Sequence, residues 1–397
     1  MRVLIPTHID DIHATAVALA LRRKGHEAVL WYGADMPTLQ AGSIRLGPDE
    51  DESWEVSGED IDLFQAKLDV VWYRRPTLPV LPPDNLLHPG DAKIARRELG
   101  GFITGLWQFV SPEAFWINPI PSRLRSNSKP VQLLEAKRAG FAIPPTLCSN
   151  DPRRIREFLA RWPGETVFKP FHPTQWRKEE GIAMLFTSPV GFDDLPDDEV
   201  LRLCPGIFQR AIPKAHELRV TVMGHHAITA RLLSQSADAS RQDWRAAFGK
   251  LPMEPGEIPD SVAAQCRELM RRLGIVFGCI DLIVTPEGEH VFLEINEMGQ
   301  FLWIDEMGPE TATLDAFCEF LIHGRGDFEY RPGPIRVAFD EVKAEALRWT
   351  EEDKKRHQDR PDASLVDDAP ATEGARAHAA GGACDHDHPH PHHHHEA

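Results

Sequence analysis

Short apolar runs alternate with a helical pattern at the start of the chain. Five elements are predicted there, in chain order: a strand over Val3 to Pro6, a helix over Ile12 to Lys24, strands over Glu27 to Tyr32 and Leu68 to Tyr73, and a helix over Ile94 to Phe109. Gly25 ends the first helix. This order is typical of an α/β domain with a parallel sheet, which we expect to close near Trp116-Ile117-Asn118-Pro119.

A second region begins near Lys129. The pattern predicts a helix over Lys129 to Ala139 that Gly140 stops, a helix over Arg153 to Trp162 that Asp151-Pro152 caps, and a strand over Thr166 to Lys169. Pro170 cuts this strand off, so Lys169 lies at its end.

Two β-hairpins follow, one over Leu218 to Leu232 around Gly224 and one over Gly278 to Asn296 around Pro286-Glu287-Gly288. The C-terminal part is therefore α+β. After about Tyr330 we expect the core to be complete, with one helix within Val337 to His357 and a disordered tail from Gln358.

The second hairpin offers oxygen ligands for a hard cation. Glu294 and Asn296 are two residues apart on one strand, so their side chains leave the same face. If the turn centres on Glu287, Asp281 pairs with about position 293 and lies beside them. Such donors suit Mg²⁺ with water and phosphate completing its shell. The alternative is a hairpin with polar residues on its solvated face.

The first hairpin suggests an anion site. With a turn near His225, Arg219 faces Arg231, and like charges that face each other destabilise a sheet unless something neutralises them. Glu217 could do so, and an anionic ligand such as phosphate is the alternative. Lys169 is a further phosphate ligand candidate, although a lone lysine is more often a surface charge. For His8 to His13, a helix N-cap at Asp10 or Asp11 is favoured over a metal cluster.

Composition excludes several classes of protein. The 397 residues suggest two or three domains, and no apolar run is long enough to cross a membrane. No secretory signal is present, so we expect a cytoplasmic protein. A net charge of −17 argues against nucleic-acid binding, and the six dispersed cysteines indicate free thiols. The His-rich segment from His386 to His395 has a composition that binds divalent transition metals.

Several strings together resemble one family. They are Val71-Trp72-Tyr73-Arg74-Arg75-Pro76, Trp116-Ile117-Asn118-Pro119 followed by Lys129, Gln132, Ala136, Gly140 and Pro144, Val167-Phe168-Lys169-Pro170, Gly206-Ile207-Phe208-Gln209-Arg210, and Leu293-Glu294-Ile295-Asn296 followed by Gly299-Gln300-Phe301-Leu302-Trp303. Over roughly Met1 to Gly324 the chain resembles ATP-grasp ligases that macrocyclise ribosomal peptides, the microviridin or graspetide maturases.

The resemblance implies a fold and domain limits. It implies an N-terminal pre-ATP-grasp α/β domain over 1–125, a central ATP-grasp subdomain over 126–212, a C-terminal ATP-grasp subdomain over 213–330, and a helix with a disordered His-rich tail over 331–397.

The resemblance also implies roles for individual residues. Lys129 and Lys169 would hold ATP phosphates, Gln209, Arg210 and Ile212 would border the adenine, and Asp281, Glu294 and Asn296 would bind two Mg²⁺ ions. Arg219 would steady the transferring phosphoryl group with Arg231 close by, and Arg245 in Asp243-Trp244-Arg245 could grip the acidic substrate side chain.

The function implied is ATP-dependent formation of an acyl phosphate on Asp or Glu side chains of a precursor peptide, followed by lactam or lactone closure. A leader segment would dock on the enzyme, and a homodimer is one option for its assembly. An acidic core peptide would need a basic groove, for which Arg74, Arg75, Arg123, Arg125 and Arg245 are available.

Two alternatives stay open at this point. One is a ligase that adds free amino acids to a peptide, protein or small-molecule carboxylate. The other is a non-catalytic regulatory protein that binds nucleotide or metal.

Overall fold

The computed structural model describes residues 1–48, 50–64, 66–76, 86–172, 175–178, 181–184, 187–236, 251–308, 310–358 and 365–367. For residues 50, 51, 175–178, 181–184, 236 and 365–367 it describes the backbone alone. Within these ranges no helix is both long enough and apolar enough to span a bilayer.

A parallel sheet forms the N-terminal part, as predicted. Its elements are β1 (Arg2–Thr7), α1 (Ile12–Arg23), β2 (Glu27–Tyr32), β3 (Gln40–Gly47), β4 (Glu50–Gly58), β5 (Val70–Trp72), α2 (Pro89–Leu106) and β6 (Phe115–Ile117). The strand order is β2-β1-β5-β6, and all neighbours are parallel. Alternate residues of β1 are buried on opposite faces: Val3 and Ile5 pack towards α1, whereas Leu4 packs with Trp31 and Trp54.

The central part is a small antiparallel sheet. The chain continues through α3 (Ile120–Ser126), α4 (Lys129–Arg138), β7 (Thr146–Ser149), α5 (Pro152–Arg161), β8 (Thr166–Lys169), β9 (Gln175–Lys178), β10 (Gly181–Met184), β11 (Ser188–Pro189), α6 (Asp198–Leu203) and β12 (Gly206–Arg210). Its strand order is β11-β8-β12-β7, and β9 and β10 form a separate hairpin after Lys169. Asp151 caps α5 as predicted, because its side chain accepts hydrogen bonds from the backbone of Arg153 and Arg154.

The C-terminal sheet contains both predicted hairpins. Its elements are β13 (His216–Met223), β14 (His226–Leu232), β15 (Met253–Pro255), α7 (Asp260–Leu273), β16 (Phe277–Val284) and β17 (His290–Asn296), followed by α8 (Thr313–His323). The order β15-β14-β13-β16-β17 is antiparallel throughout. One face packs against α4 and α7 through Leu133, Ala136 and Leu269, so α4 is an integral support of this sheet.

The expectation that the core is complete after Tyr330 is wrong. The helix predicted within Val337 to His357 exists as α9 (Phe339–Arg356), but it packs against α1. Phe339, Val342 and Ala346 belong to the largest hydrophobic cluster of the described residues. Farther along, where no regular structure was predicted, β18 (Leu365–Asp367) runs parallel to β9.

Candidate active site

Four polar side chains meet on one face of β13, β16 and β17. Arg219 pairs with Asp281 across β13 and β16, and Asp281 pairs with Glu294 across β16 and β17. Asn296, two residues beyond Glu294, pairs with Cys279 and so leaves the same face. The register shifts by one residue after Asp281, which places Asp281 opposite 294 rather than 293. The three oxygen donors therefore lie on one face of the sheet, as predicted, with a pairing that differs by one residue from the predicted register.

Arg219 and Asp281 form a buried ion pair. The Nη1 of Arg219 donates to Oδ1 of Asp281 over 2.8 Å, and only 5% and 6% of the two side chains are exposed. The Nη2 of Arg219 donates to the backbone carbonyl of Gln300 over 3.3 Å, in the loop after β17. The guanidinium is thus held against the carboxylate strand in one orientation.

The predicted pairing of Arg219 with Arg231 is wrong. Arg219 lies opposite Ala230, and Arg231 lies opposite Leu218. Because neighbouring strand residues point to opposite faces, this shift of one residue puts Arg231 on the face away from Arg219. Arg231 instead lies 3.1 Å from Glu254 in an exposed ion pair. The residue that neutralises Arg219 is Asp281, whereas Glu217 pairs with Lys214.

Two lysines approach each other at the end of β8. Lys169 is the last residue of that strand, opposite Ile207 of β12. The Nζ of Lys129, at the first position of α4, donates to the carbonyl of Pro170 over 2.8 Å. The predicted phosphate ligands therefore lie on adjoining segments, although 40 residues separate them in the chain.

The helix that carries Lys129 is fixed to the carboxylate strand. One turn after Lys129, the Gln132 side chain donates from Nε2 to the carbonyl of Ile295 over 2.9 Å. Its Oε1 accepts from the Ile295 N–H over 3.0 Å. Since Ile295 lies between Glu294 and Asn296, this contact sets the distance between the lysines and the oxygen donors.

Comparison with solved structures identifies the class of enzyme. The macrocyclase MdnC from Microcystis aeruginosa MRC, bound with precursor peptide MdnA, superposes with a TM-score of 0.69 and 29% identity, over 81% of this chain and 100% of that chain. A Chryseobacterium gregarium RiPP-associated ATP-grasp ligase, in complex with ADP and a leader and core peptide, gives 0.74 and 26%, over 85% and 99%. The chain is an ATP-grasp ligase that is similar to graspetide macrocyclases.

Of the other comparisons, one supports the fold alone and two found no match. The ATP-grasp ligase PsnB, complexed with a minimal precursor, Mg and ADP, shares 22% identity at a TM-score of 0.63, over 81% of this chain and 96% of that chain. No protein-family model and no curated protein sequence matches the chain. The predicted ATP-grasp fold and the prediction of an enzyme are confirmed by the solved structures.

In this ATP-grasp ligase, the segment after β12 links the central sheet to the C-terminal sheet. Gln209 is buried, and its Nε2 donates to Oγ1 of Thr146 over 2.9 Å. Arg210 lies over the Trp162 ring and pairs with Glu165 at 2.9 Å, so its side chain is already engaged. Ile212 is half-buried at the start of the link. The contact of these three residues with adenine stays a prediction.

The oxygen donors of the ligase fit a magnesium site. Asp281 and Glu294 supply carboxylates and Asn296 supplies an amide oxygen, whose Oδ1 also accepts the Met298 N–H over 3.0 Å. Among the described residues no group of three or more His, Cys, Asp or Glu side chains lies close enough to hold a metal ion. Two carboxylates and an amide, with water and phosphate oxygens, match the all-oxygen ligands of Mg²⁺ better than the Cys and His ligands that Zn²⁺ favours.

The basic groove proposed for an acidic peptide loses most of its predicted members. Arg74 is fully buried, with its Nε 3.0 Å from Oδ2 of Asp11 and its Nη1 bonded to the carbonyls of Met298 and Gly299. Arg123 pairs with Glu297 at 2.8 Å, and Arg125 pairs with Glu135 at 3.0 Å. Arg74 and Arg123 therefore support the fold, and Arg125 is engaged in an ion pair although 54% of its side chain is exposed. Arg75 is half-buried, and Arg245, with Asp243 and Trp244, lies outside the described residues.

Asp11 is a helix cap, as predicted for the His8 to His13 segment. Its Oδ1 accepts the His13 N–H at the start of α1. Burial alone would raise the pKa of Asp11, but the positive charges of Arg74 and Arg75 lower it far below its ordinary range. The metal-binding tail from His386 to His395 lies outside the described residues.

Glu297 has a structural role that the sequence did not indicate. Glu297 is buried directly after Asn296, and it binds Arg123 and the Nδ2 of Asn127, which lies 3.2 Å away. Asn118 donates to the Glu297 carbonyl over 3.2 Å and accepts from the N–H of Phe277 over 3.0 Å. These bonds join the end of the parallel sheet to the carboxylate strand. An isolated Glu gives no such signal in the sequence, because its partners lie more than 150 residues away.

Proposed function

We propose that this ligase phosphorylates Asp or Glu side chains of a ribosomal precursor peptide with ATP and then closes lactam or lactone cross-links. ADP and inorganic phosphate would be released. The observation that supports this best is the buried Arg219–Asp281 pair beside Glu294 and Asn296, fixed through Gln132 to the helix that carries Lys129. Cations and carboxylates that converge on one sheet face suit phosphoryl transfer.

The proposed ligands divide between the two sheets. Asp281, Glu294 and Asn296 would hold two Mg²⁺ ions, Lys129 and Lys169 the phosphates, and the segment from Gln209 to Ile212 the adenine. When bound, Mg²⁺ neutralises the phosphate oxygens and holds the γ-phosphoryl group in line with its acceptor. The half-buried position of Lys129 and Lys169 favours this role over that of solvated surface charges.

Arg219 is the proposed catalytic cation. A carboxylate is an anion, so its attack on the γ-phosphorus requires positive charge that is fixed before the reaction. Asp281 and the Gln300 carbonyl hold Arg219 in place without the cost of reorienting it. Arg231, on the opposite face, has no part in the proposal, whereas Arg245 stays a predicted ligand for the acidic side chain.

The proposed partner is a peptide with a leader segment and an acidic core. MdnC was solved with the precursor peptide MdnA and the Chryseobacterium ligase with a leader and core peptide, which supports a peptide substrate over addition of free amino acids. A non-catalytic role is set aside because the chain is an ATP-grasp ligase.

Co-expression with any short peptide gene found beside the ligase gene tests the proposal. Mass spectrometry should find peptides lighter by one water, about 18 Da, per ring, because each closure is a condensation. Purified ligase should release ADP only when that peptide is present. A gain in peptide mass would favour amino-acid addition, and ADP release that ignores the peptide would contradict the proposed substrate.

A further inference from the structure

A cavity of about 80 Å³ lies where α1, the loop after β17 and α9 meet. Its lining includes His13, Gln300, Leu302, Trp303 and Phe339. We call it the His13 cavity. Four of its eleven lining residues are apolar or aromatic and seven are polar or charged, so the cavity offers hydrogen-bonding groups to a short polar side chain.

The His13 cavity adjoins the proposed site of phosphoryl transfer. Gln300 belongs to both, because its carbonyl accepts hydrogen bonds from Nη2 of Arg219 over 3.3 Å and from Nε1 of Trp303 over 3.1 Å. Gln300 would therefore lie between a side chain in the cavity and the proposed catalytic cation, Arg219.

His13 is a buried polar residue of the cavity whose protonation state follows from its surroundings. It is 6% exposed, its Nδ1 has no hydrogen-bond partner among the described residues, and its ring lies edge-on to Phe301 at 5.2 Å. Burial and the charge of Arg74 lower the pKa of His13 to about 3. The imidazole is therefore neutral at physiological pH and can accept a hydrogen bond from a ligand O–H.

The charged groups that border the cavity are balanced. Asp10 lies 2.8 Å from Lys354, and Glu306 lies 3.5 Å from Lys343. Asp11 is compensated by Arg74, and Arg75 adds a further positive charge to the lining. An ammonium group would find no excess of negative charge here, whereas a small neutral hydroxyl would meet no repulsion.

We propose that the His13 cavity receives the acceptor side chain of the peptide and that this acceptor is a hydroxyl, of Ser or Thr. The inference rests on the proposed function and chooses the ester over the amide. The hydroxyl oxygen bonds to the carbon of the acyl phosphate, and the bond from that carbon to the phosphate oxygen breaks. The imidazole orients the hydroxyl by accepting its hydrogen bond, and the hydroxyl proton leaves with the phosphate, so that hydrogen phosphate is released.

His13→Ala separates this role from a structural one. With the peptide identified by co-expression, the variant should keep ATP-dependent activation, measured as ADP release and as hydroxamate in the presence of hydroxylamine. Ring closure should fall by about tenfold or more, because the acceptor is no longer held. His13→Gln, which keeps a hydrogen-bonding group, should restore part of the closure. Equal losses of activation and closure in His13→Ala would overturn the proposal.

Lys343→Glu provides a second test at a surface position. Lys343 is about one third exposed, so the fold should tolerate the change, and the lining becomes negative. The enzyme should then use a peptide with Lys in place of the acceptor Ser or Thr several-fold better than before, by the attraction of opposite charges. Arg348→Glu, the same charge change at an exposed site of α9, should leave the preference unaltered. An unchanged preference in Lys343→Glu would contradict the assignment.

The stability of the ring linkage in alkali provides a third test. Rings made by the unmodified enzyme should open in mild alkali, as esters do, and rings that resist alkali would refute a hydroxyl acceptor. If the unmodified enzyme shows no peptide-dependent ADP release at all, it is the proposed function that fails.

Discussion

Gln132 and Ile295 exchange two hydrogen bonds, and through them a helix side chain takes the place of a neighbouring strand. β17 is an edge strand of its sheet, so the outward N–H and carbonyl of Ile295 have no strand partner there. The amide of Gln132 satisfies both, at 3.0 Å and 2.9 Å, and is itself 4% exposed. The edge is thereby closed and the two proposed magnesium ligands that flank Ile295 are fixed.

Gln132→Met should destabilise the protein by about 2–4 kcal/mol, because two buried backbone groups of Ile295 lose their partners. The Mg²⁺ concentration needed for half-maximal ADP release should rise, since Glu294 and Asn296 are then less well held. Urea unfolding and a Mg²⁺ titration measure the two effects.

Gln265→Met is the matched control for Gln132→Met. Gln265 also sits on a helix and donates to a backbone carbonyl, that of Gly140, but this bond is exposed. We expect a loss below about 1 kcal/mol and no change in the Mg²⁺ requirement. Similar losses in both variants would argue against the role of Gln132.

The two hairpins show what sequence could and could not predict. Strand positions and the shared face of Glu294 and Asn296 followed from alternation alone. The pairing register could be predicted only with the exact position of the turn. Gly224 and His225 form a two-residue turn, whereas the prediction centred the turn on His225 and therefore placed Arg231 on the wrong face. In the second hairpin the register shift after Asp281 changed its pairing partner from position 293 to 294, but the side chain of Asp281 lies on the predicted face of the sheet.

Long-range partners could not be predicted at all. The contact of Gln132 with Ile295 spans 163 residues, and neither residue type indicates the other. The β3–β4 hairpin, α7 and α8 were not predicted either. The burial of Arg74 was also missed, because nothing in the Arg74-Arg75 pair distinguishes the buried residue from the half-buried one.

Glu294→Gln should abolish turnover without loss of the fold. The change keeps size and shape and removes the charge that would hold Mg²⁺, so peptide-dependent ADP release should fall by about 100-fold or more. The midpoint of thermal unfolding should stay within a few degrees. Glu287→Gln, at the exposed turn of the same hairpin, is the control and should be fully active. Near-normal activity of Glu294→Gln would remove this residue from the metal site.

Arg74→Met should cost about 3–5 kcal/mol at neutral pH, because Asp11 is left buried without its principal cation. The effect depends on pH. In the native protein the pKa of Asp11 is depressed, so its contribution to stability is present above the unfolded pKa of about 3.9 and is lost as pH falls below it. In the variant, burial raises the pKa of Asp11, and protonation relieves the penalty as the pH falls.

The gap in unfolding free energy between Arg74→Met and the native chain should therefore narrow from about pH 7 to about pH 5. Urea unfolding at several pH values measures it. Adding Asp11→Asn, which removes the charge and keeps a capping side chain, should recover part of the loss at neutral pH. A gap independent of pH would show that lost contacts, not the buried carboxylate, dominate.

The docking of α9 on α1 predicts that the C-terminal helix belongs to the cooperative fold. Val342 is fully buried in the cluster that also holds Ala16, Val17 and Phe317, so Val342→Ala should lower the unfolding free energy by about 1–3 kcal/mol. Leu347, on the same helix, is 37% exposed, and Leu347→Ala should cost less than about 1 kcal/mol although it removes more carbon atoms. Because the packing joins α9 to the parallel sheet, both variants should still unfold in a single transition by circular dichroism and by tryptophan fluorescence. A separate early transition in Val342→Ala would mean that α9 is an appendage, and that the boundary expected near Tyr330 describes the folding unit after all.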